Sequence, residues 1–319
     1  MTEDFVTNEI SKNSKKLRIV FMGTPEFAVP ALKKLIEKYD VVAVLTKEPK
    51  PVGRKMILTK SPVHIVAEEN NIPVLTPKSF KDPLNITNIQ MYHPDMIVVC
   101  AYGLIIPEKI LLEPKYGCIN IHASILPKYR GANPIQRAVL NGDRMAGITI
   151  MSMDKGLDTG PMLLKEAIPV PQNMTYGELE QELSIIGSNL IVNYIDNRDN
   201  ILPQHQTNEF TLAPKLEKGE EKINWQNTAT NIHNLVRALN PRPYATFEHN
   251  GNTIKLIKSE VVNEQTDKPT GTVLNNKLDI ACGKGTILRI LSVQKSGGKI
   301  IDTKSFLNGY KIEIGEILK

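Results

Sequence analysis

Apolar residues in the first two-thirds of the chain form short continuous runs separated by helical stripes. Buried strands are predicted at LRIVFM (17–22), VVAVLT (41–46), IPVL (72–75), DMIVVCA (95–101), GCINIHA (117–123) and GITIMSM (147–153). Between them, residues 25–38 and 61–70 carry apolar residues at helical spacing. Strands that alternate with helices predict a Rossmann-like, doubly wound, mainly parallel sheet with helices on both faces.

The last third has a different pattern. A helix is predicted at 175–196, where Thr175 and Glu178 form a capping-box signature. Periodicity is lost over 201–216, and after a helix at 227–239 short alternating runs predict a small OB-like β-barrel. We therefore expect a flexible extension at 1–16, a first domain at 17–200, a linker at 201–216 and a second domain at 217–319.

Composition narrows the class of protein. The 319 residues are 41% hydrophobic and 23% charged, with a net charge of +5. No apolar run approaches the ~18 residues of a membrane span, and the polar N-terminus does not resemble a signal or transit peptide. We expect a cytoplasmic protein without membrane association. The three cysteines share no CxxC spacing, which argues against a disulfide framework and against a cysteine metal site.

Three polar residues have the types needed for acyl transfer to an amine. Asn120 and His122 alternate on one predicted strand, so their side chains point to the same side. Asp158 lies in a loop between Gly156 and Gly160, where glycines permit unusual backbone conformations. An amide and an imidazole can stabilise an oxyanion. A carboxylate beside the imidazole is expected to favour its protonated form and to fix its orientation.

The turn after the first strand argues against a dinucleotide-binding oxidoreductase. Its sequence, GTPEFAVP, has one glycine, whereas the fingerprint requires three for close approach of the pyrophosphate.

Two basic regions point to an anionic partner. The segment KEPKPVGRKMILTK (47–60) has five cations against one acid, and its length and two prolines predict an irregular, mobile arm that contacts phosphates. Residues 209–319 hold 16 Lys and Arg against 12 Asp and Glu, so that part carries +4 of the net charge. A basic OB-like barrel can bind oligonucleotides.

Five segments together resemble the methionyl-tRNA formyltransferase family: FMGTPEFAVPAL, AYGLIIP, INIHASILPKYRGANPI, MDKGLDTGPM and LAPKLEKGEEKINW. The resemblance covers nearly the whole chain from about residue 17. The Asn-x-His…Asp set alone is shared by all 10-formyltetrahydrofolate-dependent formyltransferases. The GTPEFAVP turn and the LAPKL segment are more particular to the tRNA enzymes and their near relatives.

The resemblance implies a monomeric enzyme that takes a formyl group from 10-formyltetrahydrofolate, without a metal, and transfers it to initiator methionyl-tRNA by direct attack of the amine. The implied catalytic residues are Asn120, His122 and Asp158. The implied folate contacts are Ser124, Ile125, Leu126 and Pro127, with Tyr102, Gly103, Leu104 and Ile105 in a loop that walls the pterin pocket together with residues 154–158. The implied tRNA contacts are Lys50, Arg54, Lys55 and Lys60.

Two alternatives remain open. The same three residues would serve a formyltransferase that acts on a nucleotide-linked amino sugar or on glycinamide ribonucleotide. From a different class, the chain could be a non-catalytic nucleic-acid-binding protein, although the intact Asn120, His122 and Asp158 set argues against this.

Overall fold

The computed structural model describes residues 16–53 and 55–319. Most of the predicted 1–16 extension therefore lies outside the described residues. The first part of the chain alternates strands and helices: β1 (Arg18–Gly23), α1 (Val29–Lys38), β2 (Asp40–Leu45), β3 (Lys50–Val52), β4 (Ile57–Thr59), α2 (Pro62–Glu69), β5 (Val74–Leu75), α3 (Pro83–Gln90), β6 (Met96–Cys100), α4 (Glu108–Leu111), β7 (Cys118–His122), β8 (Arg130–Gly131), α5 (Pro134–Leu140), β9 (Met145–Ser152), β10 (Met162–Pro169) and α6 (Tyr176–Asn197).

Seven strands form the central sheet, in the order β10-β9-β7-β6-β1-β2-β5. The strands from β7 to β5 are mutually parallel, which confirms the predicted Rossmann-like, mainly parallel sheet. β9 and β10 run antiparallel beside β7 and complete one edge. β7 is thus an interior strand whose carboxyl end lies next to that of β6.

The sheet is buried on both faces. Ile19 and Phe21 of β1 belong to a large apolar cluster that includes residues of α1 and α6, whereas Val20 and Met22 belong to a second cluster with residues of α4. This alternation follows from the two-residue repeat of a strand. The three cysteines are buried, and burial raises the pKa of each thiol.

The prediction of an irregular segment at 47–60 is wrong, because β3 and β4 pair as an antiparallel hairpin. Its apolar side chains Val52, Met56, Ile57 and Leu58 are exposed. The prolines and cations of this segment obscured the strand pattern. The hairpin is a regular element with an apolar surface and basic flanks.

Residues 201–216 lie along the first part of the chain and hydrogen-bond to it. Gln204 and Met162 exchange two backbone hydrogen bonds of 2.8 Å. A short strand, β11 (Leu212–Ala213), pairs in parallel with β8. We name residues 204–213 the strap.

The C-terminal part contains α7 (Ala229–Ala238), β12 (Ala245–His249), β13 (Asn252–Gln265), β14 (Asp279–Ala281), β15 (Thr286–Lys295), β16 (Ile300–Asp302) and α8 (Thr303–Gly309). The strands form one five-stranded antiparallel sheet, in the order β12-β13-β15-β14 with β16 also on β15. One of the short alternating runs, GTVLNN (271–276), forms only isolated bridges at Thr272 and Val273. The expectation of a C-terminal β domain is confirmed.

Helix α7 packs against α5. Arg237 is buried and donates to the carbonyl oxygens of Val139 and Met174, both at 3.2 Å. His233 Nε2 lies 3.2 Å from the carbonyl oxygen of Gln172. These polar contacts join the two parts of the chain, and their acceptors are uncharged backbone carbonyls. They therefore fix the orientation of the two parts more than they attract charge to charge.

Within residues 16–53 and 55–319, no helix has the length and hydrophobicity needed to cross a membrane.

His233 should make stability depend on pH. Burial lowers the pKa of His233, so below pH ~6.5 the unfolded chain binds a proton that the folded state resists, and the free energy of unfolding falls as the pH falls. We expect His233→Asn to weaken this dependence between pH 7.5 and 5.5 by up to about 1.4 kcal/mol, the limit for a histidine that titrates near pH ~6.5 in the unfolded chain and stays neutral in the folded one. Urea denaturation at both pH values measures it, with the exposed His205→Asn as control. Identical pH dependence in wild type and His233→Asn would contradict the assignment.

Candidate active site

Strand β7 carries two of the candidate residues. Asn120 pairs with Val99 of β6, and His122 pairs with Thr149 of β9. The two side chains lie on the same face of β7, since they are two residues apart. His122 is 5% exposed, and Asn120 is partly buried. Within the described part of the chain, the Asn120 amide makes no hydrogen bond, so its donor is free for a ligand.

The surroundings of His122 determine its protonation. Nε2 lies 3.0 Å from the carbonyl oxygen of Tyr129, which can only accept, so Nε2 carries the proton. Nδ1 lies 3.7 Å from Oδ2 of Asp158, too far for a hydrogen bond. Burial lowers the pKa of His122 and outweighs the opposing effect of the Asp158 carboxylate. Asp158 thus has the expected effect on the ring, but burial has the larger one and favours neutral His122 with Nδ1 as an acceptor.

Asp158 is held by backbone. Its Oδ2 accepts a 2.8 Å hydrogen bond from the amide of Gly131. The unusual conformation expected of the flanking glycines is at Asp158 itself, whose φ is +52°, while neither glycine has a positive φ. Gly160 serves a close approach instead, because a Cβ there would lie 1.9 Å from the carbonyl oxygen of Ser152. The loop thus presents the carboxylate in a fixed, strained position.

The segment 124–127 follows β7 directly, and its residues have two different roles. Ser124 is buried, and its hydroxyl donates to the carbonyl oxygen of Lys128 at 2.6 Å. Leu126 is buried in a small apolar cluster. These two side chains shape the segment, whereas Ile125 and Pro127 are partly exposed and can touch a ligand.

The loop after β6 turns its residues in opposite directions. Tyr102 is buried in the core, and its backbone carbonyl accepts a 3.1 Å hydrogen bond from the Thr24 hydroxyl. Gly103 has a φ of +78°, and Ile105 is 92% exposed. Leu104 is partly buried. Tyr102 therefore anchors the loop, and residues 103–105 form its outer surface beside the end of β7.

Of the predicted basic contacts, Lys50 and Lys55 lie on the β3–β4 hairpin and Lys60 directly follows it, so these three are not at the ends of β6 and β7. Lys50 and Lys55 are exposed. Lys60 is bonded to the Glu68 carboxylate at 2.7 Å, which compensates its charge. Arg54 lies outside the described residues. Of the proposed cations with a described structure, Lys50 and Lys55 are the ones whose charge is available to a polyanion.

Sequence reasoning missed the groups that hold the candidate residues in place. These are the Tyr129 carbonyl, the Gly131 amide and the side chain of Gln206, which bonds to the Asp158 loop. Tyr129 and Gly131 belong to the KYRGANP motif and could have been singled out there. Gln206 lies in the segment interpreted as a linker, where nothing in the local pattern marks it.

The arrangement suits a group-transfer reaction in which a proton is taken up from one reactant and returned to another. A free amide donor and a neutral imidazole acceptor lie on one strand, and a carboxylate can stabilise the imidazole once it gains a proton. Among the described residues no group of three or more His, Cys, Asp or Glu side chains could hold a metal ion.

Two family models match the chain. The model described as formyl transferase matches residues 17–195, and the model described as formyl transferase, C-terminal domain, matches residues 215–311. Together they span most of the chain and include Asn120, His122 and Asp158.

Individual relatives give the same result. The methionyl-tRNA formyltransferase of Rickettsia prowazekii is 45% identical over 304 residues, covering 95% of this chain and 100% of the relative. That of Rickettsia felis is 44% identical with the same coverage. Among solved structures, an N-formyltransferase from Helicobacter canadensis in complex with folinic acid and dTDP-3-aminofucose has a TM-score of 0.65 at 21% identity, covering 88% of this chain and 99% of its own. The methionyl-tRNA formyltransferase from Clostridium thermocellum has a TM-score of 0.53 at 20% identity, with 78% and 95% covered.

Proposed function

Because the chain belongs to the methionyl-tRNA formyltransferases of the formyl transferase family, we propose that Asn120, His122 and Asp158 carry out its reaction. The enzyme transfers the formyl group of 10-formyltetrahydrofolate to the α-amine of initiator methionyl-tRNA. The observation that carries the residue assignment is the position of neutral His122 Nδ1, which faces the Asp158 carboxylate at 3.7 Å, on the same strand face as the free amide of Asn120.

The residues around the site fit the folate donor. A pterin is flat and apolar on its faces, with polar edges. Leu104, Ile105 and Leu157 supply partly or fully exposed apolar surface on the two loops beside β7. Backbone groups of residues 103–106 make no hydrogen bonds within the described part of the chain and can meet the polar edge. When bound, the donor supplies a formyl carbon that an amine can attack.

Asn120 acts on the formyl oxygen. Its Nδ2 donates a hydrogen bond to that oxygen as negative charge develops during attack of the amine. The donor is free before the reaction, so no existing hydrogen bond has to break. An α-amine has a pKa near ~8 or lower, so enough of the acceptor is neutral at pH 7 to attack without a strong base.

His122 and Asp158 move the proton. Nδ1 of His122 accepts the proton that the attacking amine loses, and the ring becomes an imidazolium. Asp158 stabilises that charge, and the Tyr129 carbonyl keeps the other nitrogen protonated throughout. Nδ1 then returns the proton to the nitrogen that leaves the formyl carbon, so His122 ends neutral. This role replaces that of a protonated oxyanion donor, which the lowered pKa of His122 disfavours.

The remaining assignments are part of the same proposal. Residues 17–200 form the catalytic domain and residues 217–319 a tRNA-binding domain, a division supported by an apolar cluster whose buried members all lie between residues 223 and 318. Lys50 and Lys55 on the hairpin contact tRNA phosphates, with Arg54 and the compensated Lys60 as further members of that set. The protein acts as a monomer in the cytoplasm, where charged initiator tRNA is used.

Loss of the Asn120 donor should remove most of the activity. With 10-formyltetrahydrofolate, wild type should formylate methionyl-tRNA far faster than free methionine or a nucleotide-linked amino sugar. Asn120→Ala should lower kcat by about a hundredfold or more, since one oxyanion donor contributes about that much. Its circular dichroism and melting temperature should stay near wild type, because the Asn120 amide holds nothing else. Near-normal turnover by a folded Asn120→Ala protein would contradict the role.

The pH profile should reveal the His122–Asp158 pair. Protonation of the acceptor amine lowers kcat/KM below pH ~8. A second fall at lower pH, here called the acid limb, reports protonation of free His122, whose pKa lies below its ordinary value. Asp158→Asn removes the charge that raises this pKa, so the acid limb should move to lower pH, while kcat falls about a hundredfold. Asp154→Asn removes an equal charge from the same loop and keeps its acceptor, and should leave the limb in place. A limb that stays fixed, or moves to higher pH, in Asp158→Asn would refute the pairing.

Binding of tRNA should depend on salt through the hairpin. Affinity for methionyl-tRNA should fall steeply between 50 and 200 mM salt, and Lys55→Ala should reduce the slope of log K against log salt by about 1. Lys60→Ala should have a smaller effect because Glu68 already compensates that charge. Fluorescence titration measures both. Salt-independent affinity, or equal effects of the two substitutions, would argue against these contacts.

A further inference from the structure

One side chain of the strap bonds to the loop that carries Asp158. Gln206 Nε2 donates to the carbonyl oxygens of Asp158 and Gly160, both at 2.8 Å. Within the described part of the chain, neither carbonyl has another hydrogen-bond donor. Asp158 has a left-handed backbone, which a non-glycine residue keeps only when neighbours enforce it. Gln206 is the neighbour in position to do so.

The other end of the same amide reaches the segment that carries Gly131. Gln206 Oε1 accepts a 3.0 Å hydrogen bond from Arg130 Nε. Arg130 is 8% exposed, and its guanidinium lies over the Phe210 ring at 4.4 Å. None of the ion pairs among the described residues includes Arg130. The neighbouring Gly131 amide bonds to the Asp158 carboxylate. Gln206 therefore ties together two segments that also meet at Asp158.

The chemistry of residue 206 is restricted by these three contacts. It must donate to two carbonyl oxygens and accept from a guanidinium, which an amide does and a carboxylate cannot. A glutamate would pair well with Arg130, but it would face two acceptors and add a negative charge beside Asp158. An apolar side chain of equal length would fill the space but would bond neither to the two carbonyl oxygens nor to the Arg130 guanidinium.

We propose that Gln206 is a positioning residue for formyl transfer: it holds the Asp158 loop so that the carboxylate stays where it can stabilise protonated His122. The inference rests on the proposed function of the site. Displacement of a reacting group by about 1 Å can cost about a hundredfold in rate. We call the hydrogen bonds of the Gln206 amide the clamp. Its loss should therefore lower kcat through Asp158 and leave substrate affinity unchanged.

Three substitutions test the clamp. Gln206→Glu keeps the length and the Arg130 partner but removes the donor, and Gln206→Met keeps the volume alone. Each should lower kcat tenfold to a hundredfold and leave KM for both substrates within about twofold. His205→Ala alters an exposed neighbour in the strap and should match wild type. Hydrogen exchange of the amides at 155–160 should be faster in both Gln206 variants and unchanged in His205→Ala.

A double-mutant cycle separates positioning from general stability. In an Asp158→Asn background, Gln206→Glu should reduce kcat less than twofold further, because the residue acts through Asp158. Wild-type kcat in Gln206→Glu or Gln206→Met, or fully additive losses with Asp158→Asn, would overturn the inference. Failure of wild type to formylate methionyl-tRNA would instead refute the proposed function, and the exchange rates at 155–160 would still test the clamp.

Discussion

The geometry of the site depends on two backbone hydrogen bonds from one short segment. The Tyr129 carbonyl accepts from His122 Nε2, and the Gly131 amide donates to Asp158 Oδ2. The first bond determines which imidazole nitrogen carries the proton, and the second fixes the carboxylate near the other nitrogen. Because both partners are backbone groups, the site is only as precise as the path of residues 129–131. That path is held by parallel pairing with β11.

Burial sets the charge balance of the site. His122 is almost fully buried, and removing it from water disfavours the imidazolium more than Asp158 favours it. The resting site therefore holds one carboxylate and a neutral base, and in the proposed mechanism a second charge arises only when the proton moves. The carboxylate is already paired with the Gly131 amide, so it can meet that charge without reorganisation. A more exposed His122 would be protonated more easily and would be a poorer acceptor at neutral pH.

The pattern of apolar residues along the chain predicted the strands that are buried over their whole length. β1, β6 and β7 are continuous apolar runs because the sheet is covered on both faces, and such runs are visible in the sequence. The β3–β4 hairpin was missed because its apolar residues are exposed and lie among prolines and lysines. The strap was missed for another reason: Thr211 accepts from the Tyr129 amide across 82 residues of sequence, and a two-residue strand has no periodicity of its own. The antiparallel direction of β9 is likewise set by its neighbours.

The sequence by itself determined which groups the candidate site contains and which face two of them share. Alternation along β7 places Asn120 and His122 together, and the motifs that include Asp158 indicate the formyl donor. Only the tertiary structure decided the state of those groups. The neutral form of His122 requires burial by residues from several elements and a carbonyl from Tyr129. The conformation of Asp158 requires Gly131 and Gln206, which lie 27 and 48 residues away in sequence. Desolvation and hydrogen bonding act through space, so no local pattern encodes them.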